Sequence, residues 1–172
     1  MAEGGQRLTT GMALPSVTLP ATDGAEIDVA PLPGRSVIAV YPWTGCPGQP
    51  NPPLWDDIPG AHGSTPELER FGALSPRFEA LDVRLFALSL QEVGYQQELA
   101  TRLGLPFPLL SDTGEEFSGA LALPSFATGG QTYLKRLTLV VRDGAIEVPF
   151  YPVPDPATHA DEVLAWLEKA TR

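Results

Sequence analysis

The sequence predicts a single α/β domain over residues 1–172, in which helices flank a central mixed β-sheet and an N-terminal β-hairpin precedes it. Continuous apolar runs typical of buried strands alternate with segments whose apolar residues recur at helical spacing. Asp23-Gly24 and Asp143-Gly144 indicate tight hairpin turns. The 172 residues contain no repeat, low-complexity tract or long linker that would divide them, and this length is usual for one domain.

The first predicted elements are the hairpin and one central strand. Residues 17–19 and 27–29 pair across the Asp23-Gly24 turn. Residues 36–41 (SVIAVY) form a continuous apolar run, as expected of a strand that is buried on both faces.

A helix, a strand and a second helix follow. Apolar residues at helical spacing predict the first helix around residues 68–78, where Pro76 favours a kink or an end. Residues 84–90 (RLFALSL) read as the next buried strand. Residues 92–103 read as a helix that Gly104 closes, because glycine is the usual residue after a helix end.

The last third adds a short strand, a short helix, a β-hairpin and a C-terminal helix. The strand is predicted at residues 105–110 and the short helix at residues 115–122. The β-hairpin is predicted at residues 133–141 with 146–151, and the C-terminal helix at residues 157–169. Strands that alternate with crossover helices imply a sheet covered on both faces. A β-α-β start and a closing hairpin plus helix predict a thioredoxin-type sheet.

Residues 47–59 (PGQPNPPLWDDIP) are predicted to be a long ordered loop. Repeated proline removes backbone donors and fixes φ, which excludes a helix or an inner strand. We expect the loop to pack over the sheet end that bears Pro42 and Thr44, because Leu54, Trp55 and Ile58 would otherwise form an exposed apolar patch.

Charge and cysteine content limit the possible partners and the cellular location. The net charge of −10 argues against nucleic acid and against anionic membrane surfaces, since both reward clustered Lys and Arg. The N-terminal residues show no secretion signal and no segment has spanning length. A single cysteine excludes an internal disulfide and fits a cytoplasmic location. The single cysteine also excludes a cysteine-rich metal site, and two histidines are too few to suggest a histidine metal site. No cofactor is implied.

Five runs in order resemble the peroxiredoxin superfamily of thioredoxin-fold thiol peroxidases, nearest to its bacterioferritin-comigratory branch. The resemblance extends from about Gly11 onward, and the runs are VIAVYPWTG, WDDIPGAHGSTPELERF, FALSLQ, FPLLSD and KRLTLVVRDG. Family members with this long insertion carry a Cys-Thr-Pro-x-x-Cys run at the start of the following helix. In this sequence Ser64 holds the place of the peroxidatic cysteine and Glu69 that of the resolving cysteine.

The resemblance implies roles for three further residues. Arg136 matches the arginine that family members place beside the thiolate, and Pro42 matches the proline after the first central strand. Thr44 is the candidate for the active-site threonine. Arg136 lies among apolar residues of a predicted inner strand, where a cation is costly unless it is paired or serves a site. The alternative is a surface-edge position.

Ser64 has three interpretations. Ser64-Thr65-Pro66-Glu67 fits a capping box, in which the serine oxygen accepts from the Glu67 amide. A serine nucleophile would need an adjacent base, and although His62 is near in sequence, nothing indicates an Asp that orients it. Ser64 is also what an introduced cysteine-to-serine substitution would leave. The acidic residues Asp56, Asp57, Glu67 and Glu69 are expected to form a solvated rim.

Cys46 must carry any thiol chemistry, because it is the only cysteine. It follows the end of a central strand, where ligand sites of open α/β sheets collect. The predicted function is reduction of hydrogen peroxide or small organic hydroperoxides through the Cys46 thiolate, with Arg136 and Thr44 stabilising charge. An external thiol, thioredoxin or a low-molecular-weight thiol, would complete the cycle, and a homodimer is expected. The alternatives are a catalytically silent binding or sensing protein, or an ordinary peroxidase altered at position 64.

Overall fold

The computed structural model describes residues 8–171 as nine strands and four helices. The strands are β1 (Leu19–Pro20), β2 (Glu26–Ile27), β3 (Arg35–Val40), β4 (Val83–Ser89), β5 (Leu109–Ser111), β6 (Ser125–Thr128), β7 (Gln131–Leu134), β8 (Leu137–Arg142) and β9 (Ala145–Phe150). The helices are α1 (Ser64–Glu79), α2 (Val93–Leu103), α3 (Glu116–Ala120) and α4 (Pro156–Ala170), and a 3₁₀ turn covers Trp55–Asp57.

Five strands form the central sheet in the order β5-β4-β3-β8-β9. The pairs β3/β4 and β4/β5 are parallel, whereas β3/β8 and β8/β9 are antiparallel. The predicted mixed sheet of thioredoxin type is therefore confirmed. β1 and β2 pair antiparallel around the Asp23-Gly24 turn, which confirms the N-terminal hairpin with a shift of one or two residues.

Both faces of the sheet are covered, as the apolar strands require. Side chains alternate along β3, so Val37 and Ala39 pack with α1, α2 and α4, while Ile38 and Val40 pack with α3 and the N-terminal segment. The carboxyl ends of β3 and β4 therefore emerge between two buried layers, beside the start of α1.

α1 starts at Ser64 and runs through Pro76 to Glu79. The predicted capping box is wrong, because Gly63 is the N-cap, with φ 111°, and its carbonyl accepts from the Glu67 amide at 3.1 Å. Ser64 is thus the first helical residue, and its hydroxyl does not cap the helix. Gly63 is needed here because L side chains rarely adopt this φ, and a Cβ would lie 2.7 Å from Pro156 Cγ at the start of α4.

The predicted strand over residues 133–141 is divided in the structure. β7 ends at Leu134 and pairs with β6 in a separate two-stranded sheet. β8 begins at Leu137 and belongs to the central sheet. Lys135 and Arg136 lie between them. Arg136 is therefore not on an inner strand, as the apolar flanks suggested, but in the break between two strands.

The N-terminal segment covers parts of both sheet edges. Along β9, Gly11 N–H donates to Ile146 O at 2.7 Å, Ile146 N–H donates to Met12 O at 2.8 Å, and Ala13 bridges to Ala145. Along β5, Ala21 bridges to Leu110, and the amide of its neighbour Thr22 donates to Leu109 O at 3.1 Å.

Among residues 8–171, the structure has no helix that is both long and apolar enough to cross a membrane. Residues 1–7, on which the predicted lack of a secretion signal partly rests, lie outside the described part of the chain.

Candidate active site

A cavity of about 210 Å³ lies where the end of β3, the proline-rich loop and the start of α1 meet. Its polar wall includes Thr44, Asn51, His62, Ser64 and Thr65, and Trp43 and Trp55 form much of its apolar wall. The cavity thus brings two of the predicted site residues, Thr44 and Ser64, to one place.

Ser64 is held at the first turn of α1 with 3% of its surface exposed. Its Oγ accepts a hydrogen bond from Arg136 Nη1 at 3.1 Å. The place that the sequence resemblance assigns to the peroxidatic cysteine is therefore next to a guanidinium and to a helix N-terminus, both of which favour negative charge.

Arg136 is 5% exposed and is held mainly by the segment that leads into α1. Nη1 also donates to Glu67 Oε1 at 2.7 Å, and Nη2 donates to the carbonyls of Gly60 (3.2 Å), Ala61 (3.4 Å) and His62 (2.9 Å). The prediction of a paired or functional cation is supported over the surface-edge alternative, since a buried guanidinium needs such partners.

Glu67 is the partner of Arg136 that sequence reasoning missed. It was expected in a solvated rim, but it is fully buried, whereas Asp56, Asp57 and Glu69 are exposed. Burial raises the pKa of Glu67 to about 7 because desolvation of the carboxylate outweighs the attraction of Arg136. The helical spacing could have revealed it, since Glu67 precedes Phe71 by one turn on the buried face.

Thr44 and Pro42 are both buried at the end of β3. The Thr44 hydroxyl donates to Gln91 Oε1 at 3.3 Å, and the Thr44 carbonyl accepts from Tyr95 OH at 3.0 Å and from Gln91 Nε2 at 3.3 Å. These bonds fix Thr44 where β3 and β4 end. A catalytic role of either residue stays a prediction.

Cys46 is half-buried in the loop that follows β3. Arg102 on α2 donates to the Gly45 carbonyl at 3.1 Å, and the Cys46 thiol contributes to the pKa shifts of Tyr95, Glu98 and Arg102 on the same helix. Within residues 8–171, no hydrogen bond joins Cys46 to Arg136. The structure therefore pairs Arg136 with Ser64 and places Cys46 beside α2.

His62 does have an acidic partner, which the sequence did not indicate. Its Nε2 lies 2.5 Å from Asp56 Oδ1, and both side chains are more than half exposed. In the part of the chain that the structure covers, no hydrogen bond joins His62 to Ser64, so the residues do not form a connected Ser-His-Asp triad.

The proline-rich loop packs over the site as predicted. Trp55 is buried in an aromatic cluster with Trp43 (5.3 Å between ring centroids), Phe126 (5.7 Å) and Tyr133 (5.2 Å). Leu54 departs from the prediction, because it is 70% exposed at the loop surface. Trp43 and Trp55 are therefore walls of the cavity.

Across residues 8–171, no three His, Cys, Asp or Glu side chains are grouped so as to hold an ion. The chemistry available at the site is that of the Arg136 guanidinium, the Glu67 carboxyl, the His62 imidazole, the hydroxyls, the helix amides and, beside α2, one thiol.

Comparisons with known proteins agree with this architecture. The sequence model of the redoxin family matches residues 9–164. Chloroplastic peroxiredoxin Q of Populus jackii is 25% identical over 166 residues, which cover 94% of this chain and 69% of that protein.

Two bacterial structures show the same fold. The Xanthomonas campestris bacterioferritin comigratory protein, solved in work on its alkyl peroxide reduction activity, is 24% identical with a TM-score of 0.75, over 95% of this chain and 100% of that one. Peroxidoxin BcpB of Mycobacterium tuberculosis is 24% identical with a TM-score of 0.77, over 96% and 99%. The chain belongs to the redoxin family and is a member of the peroxiredoxin superfamily of thiol peroxidases, whose thioredoxin-like fold it shares.

Proposed function

We propose that this protein reduces hydrogen peroxide or small organic hydroperoxides through Cys46, with an external thiol as the electron donor. The observation that carries the proposal is the position of the sole thiol. Cys46 is partly exposed at the carboxyl end of β3, two residues from Thr44 in the cavity wall and beside the cation Arg102. Membership of the peroxiredoxin superfamily supports the reaction class.

The proposed reaction has two steps. The Cys46 thiolate attacks one peroxide oxygen, so that an S–O bond forms, the O–O bond breaks, and the leaving oxygen takes a proton to give water or an alcohol. The resulting sulfenic acid is reduced by two equivalents of an external thiol, which become a disulfide while water is released. Thioredoxin or a low-molecular-weight thiol fits that role, and we propose a cytoplasmic homodimer as the working form.

Arg136, which matches the family's arginine, is engaged by the start of α1 and by the segment that leads into it. Its hydrogen bonds go to Ser64, Glu67 and the carbonyls of residues 60–62. We therefore propose that Arg136, Thr44 and Pro42 maintain the cavity beside Cys46, and that Ser64 borders it without acting as a nucleophile.

A second candidate is a peroxiredoxin-fold protein that binds a partner or senses peroxide without turnover. The observation that favours it is the intact setting of Ser64, which keeps Arg136 and the helix start but carries an oxygen that cannot become a sulfenic acid. Under this alternative the protein has no peroxidase turnover, and Cys46 has no catalytic role.

Peroxide consumption with dithiothreitol as reductant separates the two. We compare the unmodified protein with Cys46→Ser, Ser64→Cys and, as a matched control thiol on the same helix, Ser75→Cys. The proposal expects turnover that is lost in Cys46→Ser. Turnover that survives Cys46→Ser contradicts it. An inactive protein that only Ser64→Cys activates, and Ser75→Cys does not, supports the silent alternative.

A further inference from the structure

The loop that carries Cys46 is attached to one face of α2. Tyr95 OH donates to the Thr44 carbonyl at 3.0 Å, and Arg102 Nη2 donates to the Gly45 carbonyl at 3.1 Å. The two carbonyls immediately before Cys46 are thus fixed by side chains of the same helix, which limits where the thiol can lie.

Tyr95, Glu98 and Arg102 lie on one face of α2, because they are three and four residues apart along the helix. Glu98 and Arg102 form a bidentate ion pair, with Nε–Oε2 at 2.8 Å and Nη2–Oε1 at 3.2 Å. Arg102 therefore binds Glu98 and the backbone next to Cys46 at the same time. Its guanidinium is a fixed charge beside the loop, unlike a freely rotating surface arginine.

Cys46 directly follows the Gly45 carbonyl that Arg102 binds, and its thiol contributes to the pKa of both charged partners. Arg102 chiefly, and the Cys46 thiol to a smaller extent, lower the pKa of Glu98. Glu98 chiefly, and then Cys46, raise the pKa of Arg102. Burial first and Cys46 second raise the pKa of Tyr95.

We propose that Glu98 and Arg102 set the reactivity of Cys46 in opposite directions, with Arg102 stabilising the thiolate and Glu98 favouring the protonated thiol. Both are positioning residues, since they act through the sulfur. The inference deepens the proposed function and rests on it for its catalytic meaning, because it replaces Arg136 by Arg102 as the cation that the thiolate uses. Arg136 is already bound to Glu67 and Ser64.

The test is the pH profile of Cys46 alkylation by iodoacetamide, which measures the thiolate fraction directly and needs no peroxide. We compare the unmodified protein with Arg102→Gln and Glu98→Gln. Arg70→Gln serves as the control, because Arg70 of α1 makes a similar bidentate pair with Asp161 of α4. Exposed charges alter such equilibria modestly, so we expect alkylation at pH 7 to be about two- to fivefold slower in Arg102→Gln.

Glu98→Gln should instead be faster by about the same factor, and Arg70→Gln unchanged. Arg102→Lys keeps the cation and should retain most of the rate, which separates charge from folding effects. An unchanged profile in Arg102→Gln, or slower alkylation in Glu98→Gln, would overturn the inference. If the profiles shift as expected but peroxide consumption survives Cys46→Ser, the proposed function fails while the control of the thiol by α2 stands.

Discussion

Arg136 and Glu67 form a buried ion pair in which each partner keeps an unsatisfied atom. Arg136 Nε and Glu67 Oε2 are buried without a hydrogen-bond partner in the described part of the chain. Such a pair contributes little net stability, because removing two charges from water costs about as much as their attraction returns. The pair is better understood as a device that holds the loop of residues 60–62 against the start of α1.

The raised pKa of Glu67 predicts a specific pH dependence of stability. The carboxyl binds its proton more tightly in the folded state, with a pKa of about 7 against an ordinary 4.5. The protonated Glu67 carboxyl therefore stabilises the folded state. That stabilisation is complete below the pKa of the unfolded state and is lost as the pH rises through the pKa of the folded state. From pH 5 to pH 8, the free energy of unfolding should therefore fall more in the unmodified protein than in Glu67→Gln. Urea unfolding at both pH values measures this. Glu69→Gln, an exposed change on the same helix, should show no such difference.

If the free energy of unfolding changes equally in Glu67→Gln and in the unmodified protein between these pH values, the raised pKa of Glu67 is contradicted. A large effect of Glu69→Gln would contradict it as well, since the side chain of Glu69 is exposed.

At the scale of elements, the start of α1 is packed directly against the start of α4. Gly63 combines φ 111° with a closest approach of 2.7 Å between an added Cβ and Pro156 Cγ. Gly63→Ala should therefore destabilise the protein by about 2–3 kcal/mol from backbone strain and the clash. Gly94→Ala is the control, because Gly94 lies in α2 with open space around it and should be neutral or stabilising by about 0.5–1 kcal/mol. Thermal or urea unfolding measures both, and equal effects would refute the close packing.

The elements themselves were largely readable from the sequence. Apolar runs located β3 and β4 to within a residue, and Gly104 marked the end of α2 with φ 62°. These features arise from neighbouring residues, so local patterns encode them.

Long-range contacts explain what the sequence did not predict. The break at Lys135-Arg136 is set by carbonyls of residues 60–62, more than seventy positions away. From the sequence, Arg136 was expected to stabilise charge at the Cys46 thiolate, but Arg136 is bound to Ser64 and Glu67, and the backbone beside Cys46 is bound to Arg102 of α2. Glu67 was assigned to the surface because charge was weighed above its helical position.

At the scale of the whole molecule, the sequence prediction is one folding domain over residues 1–172. Trp43 and Trp55 report on the cavity side and Trp166 on α4, while far-ultraviolet circular dichroism reports on all elements. If the chain is one domain, tryptophan fluorescence and circular dichroism should follow a single coincident urea transition. Two separated transitions would contradict a single domain.

The N-terminal cover of both sheet edges has a consequence for self-association. An open edge strand offers unpaired backbone groups to another chain and so promotes aggregation. Residues 11–13 occupy the first half of β9, Pro149 removes a donor from its second half, and Ala21 with Thr22 occupies β5. Deleting residues 1–22 should therefore turn a protein that stays dispersed on heating into one that scatters light at micromolar concentration. Deleting residues 1–7 alone should leave it dispersed.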